Sequence, residues 1–247
     1  MKRVRFDKSP LIEVIFQLRF PTILSIEQSI PSAFQQQIIS KYPFFSQKNE
    51  EIKQILPDGT QKVISTNRNY EFLSIDKGTK INLTCSFLAI STRQYSVWEN
   101  FSSVIDEIVT AFERVYNPPF YVRVGLRYID VITKSKWGLE QRKWNELLTP
   151  DVLGVLANNE NASNYQVEAE YLCKDGITLT HNRFGLVHVD QQAELSFMID
   201  CDYFKNGITQ TTEWKDISII LHDSSENFIR TIVSDVLFFA MEPQEIS

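Results

Sequence analysis

The sequence contains no apolar run long enough to cross a membrane. A membrane-spanning helix needs roughly 18 or more consecutive apolar residues, and polar or charged residues interrupt every apolar stretch of the 247-residue chain before that length. The basic first residues are followed by Asp7, Lys8 and Glu13, which interrupt the apolar segment that a secretory signal requires. We therefore expect no membrane segment and no membrane partner.

Cysteine is also scarce. The chain has three cysteines, at positions 85, 173 and 201, and no two of them are closely spaced. An odd number without close pairs indicates reduced thiols rather than a disulfide framework, which is typical of the cytoplasm. Because Cys85, Cys173 and Cys201 fall on apolar positions of predicted strands, we interpret them as inert core thiols.

Glycine is too scattered to build a phosphate-binding loop, and positive charge is in deficit. The eight glycines form neither a G-x-x-x-x-G-K nor a G-x-G-x-x-G pattern, so we predict no cofactor. The chain has 25 Lys and Arg against 31 Asp and Glu, for a net charge of -6. This balance disfavours nucleic-acid binding through bulk electrostatics, and a local arginine groove is kept only as a weaker third hypothesis.

The three histidines do not form a metal-binding pattern. Two of them, His181 and His188, are predicted on nearby strands, with Asp190 and Cys201 as potential co-ligands. Their spacing along the chain matches no zinc site. We therefore interpret the histidines as structural.

Two further groups of polar residues could in principle form a metal site or a catalytic site. Asp200 and Asp202 lie on one face of a predicted strand and, with Glu194, have the oxygen ligands that Mg²⁺ or Ca²⁺ prefers. Solvated positions on a polar face explain them more economically, so we predict no metal. His222-Asp223 precedes two serines, but adjacent helical residues point in different directions and no nucleophile-bearing turn accompanies them. We predict no catalytic residues.

What the sequence does contain is a period-two pattern near its start, bracketed by Pro10 and Pro21. This pattern predicts a strand with one apolar face, and such a face needs a covering layer. With 43% apolar and 12% aromatic residues, the chain can bury a sizeable core. The apolar positions of the strand are Ile12, Val14, Phe16, Leu18 and Phe20.

A second alternating stretch, 120–133, predicts a counterpart strand in the middle of the chain. Two long helices are predicted as well, over 96–116 from apolar residues spaced 3-4-3-4-3, and over 214–241 from a similar stripe. A shorter helix is expected near Pro31 and another over 144–156. The apolar side of the second strand holds Phe120, Val122, Val124, Leu126 and Tyr128, and its other side holds Tyr121, Arg123, Gly125 and Arg127.

Turn residues predict a series of hairpins. Pro57-Asp58-Gly59, 76–79 and Asp175-Gly176 carry hairpin signals, and Asn206-Gly207 is expected to turn the chain. The second signal predicts Phe72 opposite Leu83 and Tyr70 opposite Cys85, followed by one strand over 80–95. The third predicts Glu168 opposite Arg183 and Glu170 opposite His181.

These elements predict an α+β fold in a single globular unit, 1–247. The halves 1–117 and 118–247 repeat one pattern, strand, short helix, three or so antiparallel strands and long helix, without a residue-level repeat. We expect the halves to join into one curved antiparallel sheet that cradles the two long helices, as in helix-grip and TATA-binding-protein-like folds.

Three short motifs carry a family resemblance: Pro10-Leu-Ile-Glu13 with the alternation after it, Tyr42-Pro43, and Gly125-Leu-Arg-Tyr-Ile-Asp130. With these the chain resembles a sporadically distributed family of bacterial and archaeal proteins of about this length, to which no activity is assigned. The resemblance spans the whole chain and implies no catalytic residues. It implies that Asn is accepted at Asp130, and its patchy distribution implies a mobile or defence-associated locus.

The polar face of the predicted sheet is the candidate binding site. Arginines on it are suited to bidentate recognition of an anionic ligand or an acidic partner segment, and Gly125 would leave room for close approach. The alternative is a solvated face whose charges pair across strands, as Glu168 would with Arg183. The candidate residues are Glu13, Gln17, Arg19, Arg123, Arg127, Glu168, Glu170, His181 and Arg183.

Two functions follow as hypotheses. The first is a non-enzymatic cytoplasmic binding or regulatory protein that engages a protein partner through this face, such as an antitoxin or accessory subunit; a homo-oligomer is compatible with it. The alternative is a small-molecule binder or enzyme with a pocket between the sheet and the helices. The pocket hypothesis predicts a cavity of a few hundred Å³ with convergent Arg and Glu, and the partner hypothesis predicts a filled core with a large exposed patch.

Overall fold

A nine-stranded antiparallel sheet forms the centre of the fold. The computed structural model describes residues 4–55, 60–159, 162–189 and 194–245, with backbone alone at 50–55 and 61–67. The predicted α+β class with a large antiparallel sheet is confirmed. The predicted turn at Pro57-Asp58-Gly59 includes residues outside those described.

The first half of the chain contributes six strands and three helices. The strands are β1 (Val4–Phe6), β2 (Leu11–Arg19), β3 (Phe44–Ile55), β4 (Gln61–Leu73), β5 (Thr79–Leu83) and β6 (Phe87–Thr92). The helices are α1 (Leu24–Gln28), α2 (Ser32–Ile38) and α3 (Trp98–Tyr116).

The second half contributes the remaining elements. Its strands are β7 (Tyr121–Ile132), β8 (Gln166–Leu172), β9 (Leu179–His188), β10 (Leu195–Thr209) and β11 (Pro243–Glu245). Its α-helices are α4 (Trp144–Leu147), α5 (Pro150–Leu153), α6 (Trp214–Ile232) and α7 (Asp235–Ala240), with 3₁₀ turns at Lys134–Trp137 and Gly154–Asn158.

The two strands with the clearest alternation lie side by side in the middle of the sheet. The strand order is β3-β4-β5-β6-β2-β7-β10-β9-β8, and β1 pairs with β11 in a separate two-stranded sheet. Phe16 of β2 lies opposite Leu126 of β7, so their apolar faces coincide. Each half of the chain therefore supplies one side of the sheet: it begins with a central strand, β2 or β7, and then adds strands from the outer edge inward.

The core lies between the apolar face of this sheet and the long helices. Val14, Phe16 and Leu18 are fully buried, as their period-two spacing requires. The ring of Phe16 lies 5.6 Å from that of Trp214 at the start of α6, and Phe112 of α3 packs in the same core. Burying each such side chain contributes roughly 1.5–3 kcal/mol, and this drives both helices onto one face.

The hairpin between β4 and β5 differs from the predicted register by two residues in its pairing. Tyr70 faces Leu83, and Phe72 faces Ile81. The turn lies one residue earlier than predicted, because the Ser74 amide donates to the Thr79 carbonyl; within it the Asp76 carboxylate accepts hydrogen bonds from the Ser74 hydroxyl and the Gly78 amide. By contrast, the predicted register of the β8–β9 hairpin, Glu168 opposite Arg183 and Glu170 opposite His181, is confirmed.

Side-chain caps interrupt two elements that were predicted to be continuous. The Thr84 hydroxyl accepts hydrogen bonds from the amides of Ser86 and Phe87, which ends β5 and starts β6 within the predicted strand 80–95. Ser234 caps α7 by accepting from the Leu237 amide, so the C-terminal helix is broken after Ile232. The predicted helix 144–156 is likewise divided into α4, α5 and a 3₁₀ turn.

Three other local predictions were wrong. The strand β10 does not turn at Asn206-Gly207 but continues to Thr209 through an irregularity at which Gly207 has φ +98°. Val236 and Phe239, predicted on the buried stripe, are exposed because α7 starts a new helical phase. Tyr121 is buried rather than polar-facing, and its hydroxyl donates to Glu113 of α3 at 2.6 Å.

Among the described residues, no helix is both long and apolar enough to cross a bilayer.

Candidate functional site

The residues predicted as a binding face do lie on one side of the sheet, opposite the long helices. The strands β2, β7, β10, β9 and β8 are consecutive in the sheet, and alternate side chains of each point to the same face. Arg19 lies opposite Arg123, and Asp202 lies opposite both Arg127 and His181. The structure therefore places all the candidate residues together on a solvent-accessible face.

The arginines on this face already have carboxylate partners. Arg127 donates from Nε and Nη2 to the two carboxylate oxygens of Asp200, both at 2.6 Å, and Arg183 Nη2 donates to Asp200 Oδ2 at 2.8 Å. The Asp200 side chain is only 5% exposed. Two guanidinium groups thus neutralise one buried carboxylate, with charge-assisted bonds of the strong kind.

A second cluster lies beside the first. Arg123 Nη2 donates to both oxygens of Asp202, at 2.8 and 2.7 Å, and Nη1 donates to Gln17 Oε1 at 3.0 Å. Its guanidinium also lies 4.4 Å from the centre of the Phe204 ring. Burial lowers the pKa of Arg123 and Asp202 opposes that shift, whereas the hydrogen bonds to Asp200 raise the pKa of Arg127. Asp200 and Asp202 act as counter-ions to these arginines.

These contacts change the interpretation of two sequence features. A Cβ built on Gly125 would lie 2.1 Å from Arg123 Nη1, so the space above this glycine holds the Arg123 guanidinium, and not the ligand that we expected there. Asp200, expected as a solvated residue, is buried. The cross-strand charge pairing kept as the alternative is present, with Asp200 as the partner of Arg183.

A cavity of about 480 Å³ lies on the other side of the sheet, between β7, β10 and α6. This volume is in the range of small-molecule pockets, and most of its lining is apolar or aromatic, as in such pockets. Aromatic side chains that line it are Phe6, Tyr95, Trp98, Tyr128, Tyr203 and Phe228. Sequence reasoning raised a pocket between sheet and helices only as the alternative.

Asp130 is the chemically exceptional residue of this cavity. It continues the core-facing positions of β7, and its side chain lines the cavity with 8% of its surface exposed. Within the residues that the structure describes, its carboxyl group makes no hydrogen bond or ion pair. Burial raises the pKa of Asp130 to about 7, because a low-dielectric environment disfavours the charged form.

Sequence reasoning mentioned Asp130 only as part of a family motif. A usable signal was present, because Val124, Leu126 and Tyr128 occupy the preceding core-facing positions and Asp130 is the next in register. A carboxylate in an otherwise apolar period-two series is a candidate for function.

A hydrogen-bonded group stands beside Asp130 at the same cavity. The Tyr128 hydroxyl lies 2.8 Å from Nδ1 of His222, and the His222 ring stacks on Trp98 with a centroid distance of 4.6 Å. Burial raises the pKa of Tyr128 well above its ordinary value. The Ser225 hydroxyl donates to the His222 main-chain carbonyl at 2.7 Å. His222 is thus engaged by Tyr128.

The residues considered for metal binding are not brought together. His181 lies on the polar face, whereas Cys201 lies on the core face of β10, and Asp190 is outside the described residues. The carboxylate of Glu194 accepts from the Ser135 amide. In the described parts of the chain, no three His, Cys, Asp or Glu side chains are placed to hold a metal ion.

The three cysteines are free thiols. Burial raises the pKa of Cys85, Cys173 and Cys201, which makes each a poorer nucleophile. Only Cys201 is in a strand; Cys85 and Cys173 lie in hairpin connections, contrary to the expected strand positions.

The chain matches no protein-family model and no curated protein. Membership of the family it resembles therefore stays a prediction.

Proposed function

We propose that the protein binds a small, largely apolar molecule in the cavity between β7, β10 and α6. The observation that carries this proposal is the cavity of about 480 Å³ with the buried Asp130 carboxyl on its wall, which has no partner among the described residues. This corresponds to the alternative function derived from the sequence.

Energetics support the cavity as a site. An unpaired carboxyl group in an apolar environment costs free energy, and an apolar residue at position 130 would remove that cost. Natural proteins keep such costs mainly where function needs them. The neighbouring charged side chains on the cavity wall, Arg5 and Glu226, have partners in Asp7 and Arg230, so Asp130 is the exception.

Filling the cavity tests this proposal. Ile229→Trp places a larger side chain in the cavity, whereas Ile219→Trp makes the same exchange at an exposed position of the same helix. A library of small apolar and aromatic compounds would be screened against wild type by thermal shift and native mass spectrometry. We expect compounds that bind wild type and Ile219→Trp but not Ile229→Trp. The proposal fails if no compound binds, or if Ile229→Trp binds them equally.

The polar face is the second candidate site, for a protein partner or an anionic ligand. In favour of it, the Arg–Asp clusters hold side chains of both charges in fixed positions, and Arg19, the last residue of β2, is exposed. A partner of this kind would suit an antitoxin or accessory subunit in the cytoplasm, or a second copy of the chain. Pull-down from the native host with wild type and Arg19→Glu would test it. Equal recovery of every partner by both proteins would contradict it.

We also propose that the fold arose by internal duplication, with a helix-grip or TATA-binding-protein-like arrangement. The order of elements supports this. In 1–117, β2 is followed by short helices, by strands added from the outer edge inward, and by α3; in 118–247, β7, β8 to β10 and α6 repeat that order. Separate expression of the halves and their reassembly in solution would test it; failure to reassemble would count against it.

A further inference from the structure

We propose that the cavity selects amines with an apolar or aromatic body, and that Asp130 holds the ligand through an ion pair with its ammonium group. This inference rests on the proposed function, because it names the ligand class of the same cavity. It goes beyond it by assigning a charge to the ligand and a recognition role to one residue.

The charged residues on the cavity wall are the first observation that favours a cationic ligand. Arg5 pairs with Asp7 at 2.8 Å, and Glu226 pairs with Arg230 within α6. Asp130 has no such partner in the part of the chain that is described here, and it is the most deeply buried of the charged groups on the wall. Among the described residues, no positive charge pairs with Asp130, and a cationic ligand can supply one. A buried carboxylate that has neither water nor a counter-ion around it is costly, and a cationic partner offsets that cost.

The aromatic rings of the cavity are the second observation that favours an ammonium group in the ligand. Tyr128 precedes Asp130 by two positions on β7, so both side chains project from the same face about 7 Å apart. The ring of Tyr95 lies 6.1 Å from that of Tyr128, edge to face, and Trp98 lies beside His222 on the same wall. An ammonium group next to Asp130 can thus also meet the electron-rich faces of aromatic rings.

The same observations exclude the opposite charge. The arginines of the polar face lie on the other side of the sheet, where Asp200 and Asp202 pair with them, and Arg5 on the cavity wall pairs with Asp7. An anion in the cavity would face the Asp130 carboxylate. A neutral ligand with a hydroxyl or carbonyl group is the remaining competitor, because a protonated Asp130 can donate a hydrogen bond to its oxygen.

Three probes of similar size distinguish these classes: 2-phenylethylamine, 2-phenylethanol and 3-phenylpropionate. Isothermal titration calorimetry at pH 8, with wild-type protein, measures their affinities. We expect the amine to bind at least tenfold more tightly than the alcohol, and the carboxylate to bind most weakly. Equal binding of amine and alcohol, or preference for the carboxylate, would overturn the inference.

Asp130→Asn then assigns the effect to one residue. The exchange keeps the shape of the side chain and removes its charge, so the amine should lose at least tenfold in affinity while the alcohol is unaffected. Unchanged amine affinity in this variant would overturn the role of Asp130. If the variant does not fold, the ranking of the three probes on wild type still decides the ligand class.

The outcomes also separate this inference from the proposed function. If library compounds bind in the cavity but none of them is an amine and 2-phenylethylamine does not bind, the inference is wrong and the cavity still binds small molecules. If neither the library nor the probes bind, both are wrong.

Discussion

The hydroxyl of Tyr128 and Nδ1 of His222 lie 2.8 Å apart and connect the central strand β7 to helix α6 beside the cavity. Tyr128→Phe removes this hydrogen bond and leaves the imidazole nitrogen without it. We expect the variant to lose about 1 kcal/mol of unfolding free energy, the usual net value of one such bond. Urea denaturation measures this, with Tyr171→Phe at an exposed position as the matched control. An equal effect of both exchanges would contradict the prediction.

The buried Asp200 carboxylate makes Arg127 a stability determinant. Arg127→Met should destabilise the protein by about 2 kcal/mol, because Asp200 would keep only Arg183 as its cationic partner. Arg19→Met, at an exposed position of the same face, should change stability by less than about 0.5 kcal/mol. Guanidinium chloride denaturation of both variants checks the difference. If Arg127→Met leaves the free energy of unfolding unchanged, the ion pair makes no net contribution to stability.

Gly125 is predicted to matter through the Arg123 side chain that lies over it. Gly125→Ala should displace the guanidinium and weaken its bonds to Asp202, at a cost of about 1–2 kcal/mol. In an Arg123→Ala background, the same exchange should cost much less, since the three atoms nearest to the added Cβ all belong to the Arg123 guanidinium. A double-mutant cycle measures this coupling, and additive effects of the two exchanges would refute the explanation.

Asp130 should make stability depend on pH. Its pKa of about 7 in the folded protein exceeds the ordinary value of 3.8, so the folded state binds its proton more tightly than the unfolded state. The contribution of Asp130 to the stability of the folded state is most favourable below about pH 4 and is lost as the pH rises to 7. Asp130→Asn should therefore gain stability relative to wild type with rising pH, on the order of 4 kcal/mol by pH 8, since one pKa unit corresponds to about 1.4 kcal/mol.

Thermal unfolding at pH 4, 6 and 8 tests this dependence. Asp151→Asn, at an exposed position, serves as the control and should follow wild type at every pH. A stability difference between Asp130→Asn and wild type that stays constant with pH would be inconsistent with the raised pKa.

Much of the fold could be predicted from periodicity. The alternation in β2, β7 and β10 assigned their faces, and the α3 stripe assigned its buried side, because period 2 and period 3.6 are direct consequences of backbone geometry. The same rule placed Arg123, Arg127 and Arg183 on one face. Boundaries were less predictable, because side-chain caps such as those of Thr84 and Ser234 depend on contacts between a few local atoms.

The sequence by itself determined the main strands, the two long helices, and which face of the central sheet is apolar and which is polar. Only the tertiary structure decided the strand order, the pairing of Arg127 and Arg183 with Asp200, and the cavity around Asp130. The reason is physical: faces follow from local spacing along one strand, whereas partners and cavities depend on how residues distant in sequence pack together. Asp130 belongs to both categories, since its alternation places it in the core and only the packing leaves it without a partner among the residues that the structure describes.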